Sequence, residues 1–198
     1  MLKIIEEKPE YYHDAELCIQ RSFWNVYMPG CEEHYLVHRM RNEKEFVKEL
    51  SLIALDNNHV VGAIYGSTAT YNNEKILTFG PLGVDPDSQK QNIGSALIRE
   101  FISRAKKLGY KAIIITGIPS YYPRFGFKSC FDLNIKMSDG SQFDALMGLE
   151  LSKGFFTNNP GIFTEAPIFF NLDRKEVEKF NEKFPPLIKK NLPGQWKK

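Results

Sequence analysis

The sequence is poor in the features that would assign it quickly. It holds 3 cysteines in 198 residues. Cys18, Cys31 and Cys130 show no Cys-x-x-Cys spacing and no histidine partner at zinc-finger distance, which excludes a disulfide framework or a zinc finger. An odd, scattered set of this kind reads as reduced thiols in a cytoplasmic protein. Charge of one sign is also missing: 26 Lys+Arg stand against 24 Asp+Glu, a formal net charge of +2. That balance gives no large basic footprint for nucleic acid. Long apolar runs are absent, the longest being of the kind Ile113-Ile114-Ile115, far short of the roughly 20 residues of a membrane helix. The start, Met1-Leu2-Lys3-Ile4-Ile5-Glu6, lacks the basic-then-apolar order of a signal peptide, so neither export nor membrane insertion is expected. No internal repeat or low-complexity tract occurs.

What remains is ordinary globular material, 42% hydrophobic and 25% charged, enough for one domain with a sizeable core. Leu2–Ile5 reads as a short strand. From Pro9 the apolar positions Tyr12, Ala15, Leu17, Ile19 and Phe23 take helical steps, and Glu32–Arg41 reads as a second, more polar helix. The period then changes to that of strands. Segments 51–55 and 59–65 flank Asp56-Asn57-Asn58, residues that tolerate positive φ, and so form a hairpin; Asn72-Asn73 precedes a further strand at 76–79. Leu97, Ile98, Phe101, Ile102, Ala105 and Leu108 make one helical stripe, ended by basic residues and Gly109. Lys111–Ile115 follows as a buried strand. Strand, helix and strand in this order predict a parallel pair with a right-handed crossover.

Beyond Leu151 the character shifts. Residues 153–198 carry nine Lys+Arg and five Asp+Glu, and Phe155, Phe156, Phe163, Phe169 and Phe170 stand among Asn, Pro and Gly as an ordered loop. Asp173 to Glu176 has the form of a capping box opening a helix that would bury Val177, Phe180 and Phe184 before Pro185-Pro186 stops it. The segment is read as an extension of the same domain, its basic excess a solvated surface. Nucleic-acid binding by this tail is a third, weaker reading.

The stretch most suggestive of chemistry is Gln89-Lys90-Gln91-Asn92-Ile93-Gly94-Ser95-Ala96, at a helix start. Unpaired N–H groups and the helix dipole attract an anion there, and the small residues Gly94, Ser95 and Ala96 allow close approach. An ordinary helix entry with nothing bound has the same local form. Nucleoside-triphosphate and dinucleotide loops are excluded, since neither Gly-Lys-Ser/Thr nor Gly-x-Gly-x-x-Gly occurs.

The order Gly80-Pro81-Leu82-Gly83-Val84-Asp85-Pro86, then Gln89-x-x-Asn92-x-Gly94, then helix, strand and Tyr122-Pro123-Arg124-Phe125-Gly126-Phe127 resembles the GNAT superfamily of acyl-CoA-dependent N-acetyltransferases. Tyr121-Tyr122 and the later Asp144–Leu151 are similar to a branch of largely predicted acetyltransferases. The resemblance covers residues 1–152 in element order, and gives a domain of 1–155 with 156–198 as an extension. It implies a mixed α/β (α+β) fold, a mostly antiparallel sheet splayed at a central parallel pair, with helices on both faces. It further implies acetyl-CoA as cosubstrate, a primary amine on a small molecule or protein as acceptor, and a homodimer as one possible assembly. No metal is expected, since His34 and His38 lack a further ligand such as the Glu of His-Glu-x-x-His. By the same resemblance the pyrophosphate rests on Gln89, Lys90, Gln91, Asn92, Ile93, Gly94 and Ser95. The pantetheine arm pairs with Leu82, Gly83 and Val84, the Leu82 N–H meets the thioester oxygen, and Tyr122 is the acid facing the departing thiol. A phenol pKa near 10 keeps Tyr122 protonated at neutral pH.

The family pattern has glycine where Asn92 stands. Asn is the mildest replacement, because it enters left-handed conformations most readily after glycine, yet it motivates a second reading: a degenerate domain that binds acyl-CoA as a sensor or assembly module without turnover. Independently of the resemblance, Pro81 cannot donate to a ladder, so its strand should bulge there. Glu33, His34 and His38 lie on the helix that borders the acceptor cleft in the family. None is assigned as base, and the aromatics of 23–41 and 155–170 serve an apolar acceptor or simple packing equally well.

Overall fold

The computed structural model describes residues 2–156, 160–170 and 172–195. Its chain opens with β1 (Lys3–Glu6), a 3-10 turn at Pro9–Tyr11, α1 (Tyr12–Phe23) and α2 (Glu33–Met40). An antiparallel meander follows, β2 (Leu52–Asp56), β3 (His59–Tyr71) and β4 (Glu74–Val84). Both of its turns are Asn pairs with positive φ, Asn57 (49°) with Asn58 (64°) and Asn72 (47°) with Asn73 (67°), the two-residue geometry that matches strand twist. Strands β3 and β4 run well beyond the expected 59–65 and 76–79. The far part of β3, polar in sequence, stays paired with Ser67 and Thr68 buried in the sheet rather than left at a rim.

Then come α3 (Ile93–Lys107) and β5 (Ala112–Thr116), which pairs parallel with β4, the expected crossover unit. Short strands β6 (Lys128–Ser129), β7 (Ile135–Met137), β8 (Leu146–Glu150) and β9 (Gly161–Thr164) complete the sheet. Among the described residues its order is β1-β2-β3-β4-β5-β8-β6, with β9 joined to β3 and to β7. The aromatic stretch expected as a loop therefore contains a strand: Phe163 pairs with Tyr71 and Thr164 with Thr70, on the edge of β3 that β2 no longer covers.

Helices cover both faces. Leu97, Ile98 and Phe101 of α3 pack on Leu52, Ile64, Leu77 and Ile113, while Ile19, Val37 and Met40 pack on Ile53, Ala63 and Tyr65 from the other side. The tail helix α4 (Arg174–Asn181) is capped by the Asp173 carboxylate, which accepts from the Lys175 N–H, and buries Val177 and Phe180 against Tyr35, as its pattern predicts; it ends before Phe184, which joins the same cluster from the turn that follows.

A charged cluster joins the N-terminal elements. Arg41, just after α2, donates to both oxygens of Glu7 (2.9 and 2.8 Å) and to Glu16 of α1, and lies over the Tyr12 ring at 4.0 Å. The Tyr65 hydroxyl donates to Glu7 at 2.5 Å. The Arg41, Glu7 and Glu16 side chains are only 6%, 2% and 8% exposed. Burial works against the Arg41 charge, but Glu7, Tyr65 and Glu16 outweigh it and raise its pKa. Removing one partner of such a cluster leaves the other charges buried. Arg41→Ala is expected to cost about 3–5 kcal/mol, read as a lowered urea midpoint with unchanged slope.

Glu165, between β9 and a 3-10 turn at Pro167–Phe169, is half-buried and has no hydrogen-bond partner among the described residues. Burial raises its pKa to about 7. A carboxyl raised in the folded state favours the fold while protonated, and that contribution is lost as pH rises from the unfolded value, near 4.3, toward 7. Glu165→Gln should therefore unfold at higher temperature than the parent at pH 8, with the gain shrinking to nothing at pH 4, by parallel thermal melts.

Candidate active site

The site begins with one extra residue. Gly66 of β3 faces Phe79 of β4 and Ile64 faces Leu82, so Gly80 and Pro81 together stand opposite the single residue Tyr65. This is the bulge expected from Pro81, and the Gly80–Pro81 bond is cis. On the other side, β4 and β5 are in register only at Leu77–Ile113. From Phe79 to Val84, β4 has β3 as one neighbour and no strand as the other, among the described residues. The sheet is split at its parallel pair.

Backbone direction along the open edge follows from two contacts. Asp85 donates its N–H to Val61 O of β3 (3.0 Å), whereas Val84 O accepts from the Gln89 side chain at 3.2 Å. Peptide groups alternate sides along a strand, so Leu82, two residues before Val84, turns its N–H and C=O to the open edge as well. Gln89 thus closes the loop onto the strand end.

The loop itself is shaped by left-handed residues, Lys90 at φ 62° and Asn92 at φ 63°. Asn92 is the residue before α3, and its side chain makes no capping bond. The first helix N–H with a partner is that of Ala96, on Asn92 O at 2.9 Å. The N–H groups of Ile93, Gly94 and Ser95 have none among the described residues. They form a cluster of orphan donors at the positive end of a 15-residue helix, beside the mouth of the split strand.

Two tyrosines close the far side. They precede and begin a 3-10 turn, Tyr122–Phe125, that ends in left-handed Gly126. Tyr121 reaches the α3 entrance, where its hydroxyl lies 3.2 Å from Ser95 Oγ, and the Arg124 guanidinium stacks on its ring at 4.6 Å. Tyr122 is 9% exposed and packs among Phe79, Phe127 and Tyr121. Its ring also rests on Gly117, where an added Cβ would come within 2.2 Å. Burial pushes its phenol well above the usual range, and the phenols of Tyr121 and Tyr27 act the same way. Tyr122 thus stays protonated at any physiological pH. The placement of Tyr121 on Ser95 is a contact the sequence reading missed; only the Tyr-Tyr repeat hinted at a second phenol.

The N-terminal helices wall the opposite side. A Cβ on Gly83 would lie 2.8 Å from Ile19 and 2.9 Å from Ser22, so the last turn of α1 presses directly on β4. Arg21 fixes this contact by bonding Asp85 (2.7 Å) and Asp87 (2.7 Å). Of the three polar residues that sequence placed on α2, His34 does not face a cleft. It is fully buried against Phe180 and Phe184, with Cys31 Sγ 3.4 Å from Nδ1, and burial lowers its pKa to about 4. His38 binds Glu16 at 3.0 Å, and its ring lies tilted 4.5 Å from that of Phe180. Glu33 accepts the Glu32 N–H at 3.0 Å, and its charge, after burial, raises the Tyr27 pKa. All three cysteines are buried and free, with pKa values raised chiefly by burial, which suits packing rather than nucleophilic chemistry.

Comparison with known proteins agrees with this geometry. The sequence matches the Acetyltransferase (GNAT) family over residues 20–127, more than half of the chain. It is similar to the uncharacterized N-acetyltransferase YjhQ of Escherichia coli K12, 31% identical over 103 residues that make up 50% of this chain and 57% of that protein. It is likewise similar to the uncharacterized N-acetyltransferase YhbS of the same strain, 33% identical over 99 residues, 48% of this chain and 58% of that one. The aligned span is thus little more than half of either relative. In fold it resembles the crystal structure of YhbS in complex with CoA, with TM-score 0.75 and 21% identity over 87% of this chain and 93% of that one. A GNAT family acetyltransferase from Brucella melitensis in complex with acetyl-CoA gives 0.71 and 23%, over 85% and 98%. With the split parallel pair, the left-handed loop at the α3 entrance and the sequence match over its core, this chain belongs to the GNAT family of acetyltransferases.

Proposed function

We propose that the protein transfers an acetyl group from acetyl-CoA to a primary amine by direct attack on the thioester. The observation that carries this reading is the coincidence of two features within a few residues: an unpaired strand edge at Leu82–Val84 and a set of unpaired N–H groups at Ile93–Ser95. An extended, amide-bearing arm ending in a pyrophosphate fits both. The arm adds to the edge of β4 as a strand would, through Leu82, Gly83 and Val84. The pyrophosphate takes the turn from Gln89 and Lys90 through Gln91, Asn92, Ile93, Gly94 and Ser95. Val84 O is already engaged by Gln89, which leaves its N–H for the arm.

Each residue then has a defined task. The Leu82 N–H, fixed outward beyond the bulge, donates to the carbonyl oxygen as it gains negative charge; one such preset donor is worth about 3 kcal/mol in a water-poor site. Tyr122 faces the departing sulfur. A phenol raised above 10 is a weaker acid than a thiol near 8.5, so complete proton transfer to the thiolate runs uphill in water. The role consistent with its burial is hydrogen-bond donation to the developing thiolate as the C–S bond breaks, while the proton that the amine loses on forming the C–N bond passes to solvent. Asn92 and the lack of an assigned base are the two reasons to consider a non-catalytic acyl-CoA sensor. The φ of 63° at Asn92 is the conformation that glycine would supply there, which answers the first of them.

Two measurements test the proposal. Saturating acetyl-CoA, at about 100 times its Kd, adds roughly 2.7 kcal/mol and should raise the unfolding midpoint by about 5–10 °C for a chain of this size. ATP and NADH should leave it in place; equal shifts with all three ligands would remove the assignment. Tyr122→Phe should lower kcat for CoA release by about 100-fold while the acetyl-CoA shift persists. An undiminished kcat would take Tyr122 out of the reaction.

A further inference from the structure

Tyr121 brings a side-chain hydroxyl to the α3 entrance from outside the turn at 89–95. Its Oη lies 3.2 Å from Ser95 Oγ. A Cβ added to Gly94 would stand 3.5 Å from that Oη and 3.5 Å from Val84 Cγ2. The phenol is therefore at the joint where the open edge of β4 meets the start of the helix. Among the described residues neither hydroxyl has another hydrogen-bond partner. Two hydroxyls carry two protons and share one bond, so the pair keeps one O–H to give. Ser95 is buried and Tyr121 half-buried, which places the spare donor on the phenol, with Ser95 Oγ–H donating to Tyr121 Oη.

The ring is held without using that proton. Arg124 stacks on it at 4.6 Å and donates its Nε–H to the Tyr121 carbonyl at 2.9 Å, and the Phe125 ring meets it edge-on at 5.5 Å. Arg99, one helical turn beyond Ser95, lies over Phe125 at 5.5 Å. Among the described residues the arginine–carboxylate pairs are those of Arg21, Arg41 and Arg104, so Arg99 and Arg124 keep their positive charge uncommitted beside the phenol. A spare O–H in a cationic setting, next to the orphan N–H groups of 93–95, suits a charged oxygen, to which hydrogen bonds are shorter and stronger than to a neutral one. We propose that Tyr121 is a cosubstrate-binding residue whose hydroxyl, steadied by Ser95, donates to a diphosphate oxygen held at the α3 entrance. The anion is then gripped from the segment after β5 as well as by the turn before α3. This rests on the acetyltransferase reading of the site.

Tyr121→Phe removes the oxygen and keeps the ring on which Arg124 and Phe125 pack. By isothermal titration of the full chain, its Kd for CoA should rise about tenfold, and that for inorganic pyrophosphate by a similar factor. Hydrogen exchange of the ligand-free chain at 118–127 should stay within about twofold of the parent. Ser95→Ala leaves the phenol without its support and should raise the CoA Kd about threefold; the double variant should match Tyr121→Phe within about twofold. A CoA Kd for Tyr121→Phe within about twofold of the parent overturns the proposal. Faster exchange across 118–127 overturns it too, because the two hydroxyls would then be a structural tie. Unchanged pyrophosphate binding would assign the hydroxyl to the arm of CoA instead and has the same consequence. If the parent itself binds no CoA, the acetyltransferase reading fails and the pyrophosphate titration decides separately. Weaker pyrophosphate binding by Tyr121→Phe then upholds the anion contact, whereas equal binding, or none by the parent, removes it.

Discussion

A β-sheet cannot admit a ligand between two paired strands, and here the pairing is broken by placing Gly80 and Pro81 opposite one residue of β3. Everything that defines the site follows from that mismatch. Because Pro81 has no N–H and the register slips by one, β4 bends away from β5 after Leu77. The bend leaves Leu82 and Val84 facing an open edge while β3 still holds their other side. It also aims the strand end at the loop that enters α3, so orphan helix donors and orphan strand donors share one mouth. The tyrosines after β5 can fold into the gap only because the strands have parted. Gly117 lets the Tyr122 ring lie flat against the chain.

Charge placement supports the same framework at a distance. One guanidinium, Arg41, satisfies carboxylates from the approach to α1 and from α1 itself, with Tyr65 of the sheet as a further donor. Arg21 does the corresponding work at the other end of α1, on Asp85 and Asp87. The helix is therefore held at both ends by arginines, one buried and one partly exposed, and its last turn is kept on Gly83. A helix so fixed gives the loop that follows it a constant point of departure.

Much of this was legible in sequence, for reasons that differ from element to element. The α3 stripe, the Asn-Asn turns and the Asp173 cap are local signals, set by side chains within a turn or two. The bulge was readable from Pro81 because a missing N–H has the same consequence in any sheet. The partner of Tyr121, the burial of His34 under Phe180 and Phe184, and strand β9 were not readable. Each depends on segments more than 25 residues apart meeting, and the sequence around them carries no periodic pattern. His34 and His38 share a helix face by spacing, but it is α4 that decides which surface that face meets. Gln89 illustrates a finer limit: its motif position is plain, yet its bond back to Val84 depends on how the strand ends.

The left-handed pair Lys90 and Asn92 has a kinetic consequence. The turn at the α3 entrance is built by the chain's own backbone, with its donors converged beside a cleared strand edge. Under the proposed function, differences in affinity between acyl-CoA species should appear in how long each one stays rather than in how fast it arrives.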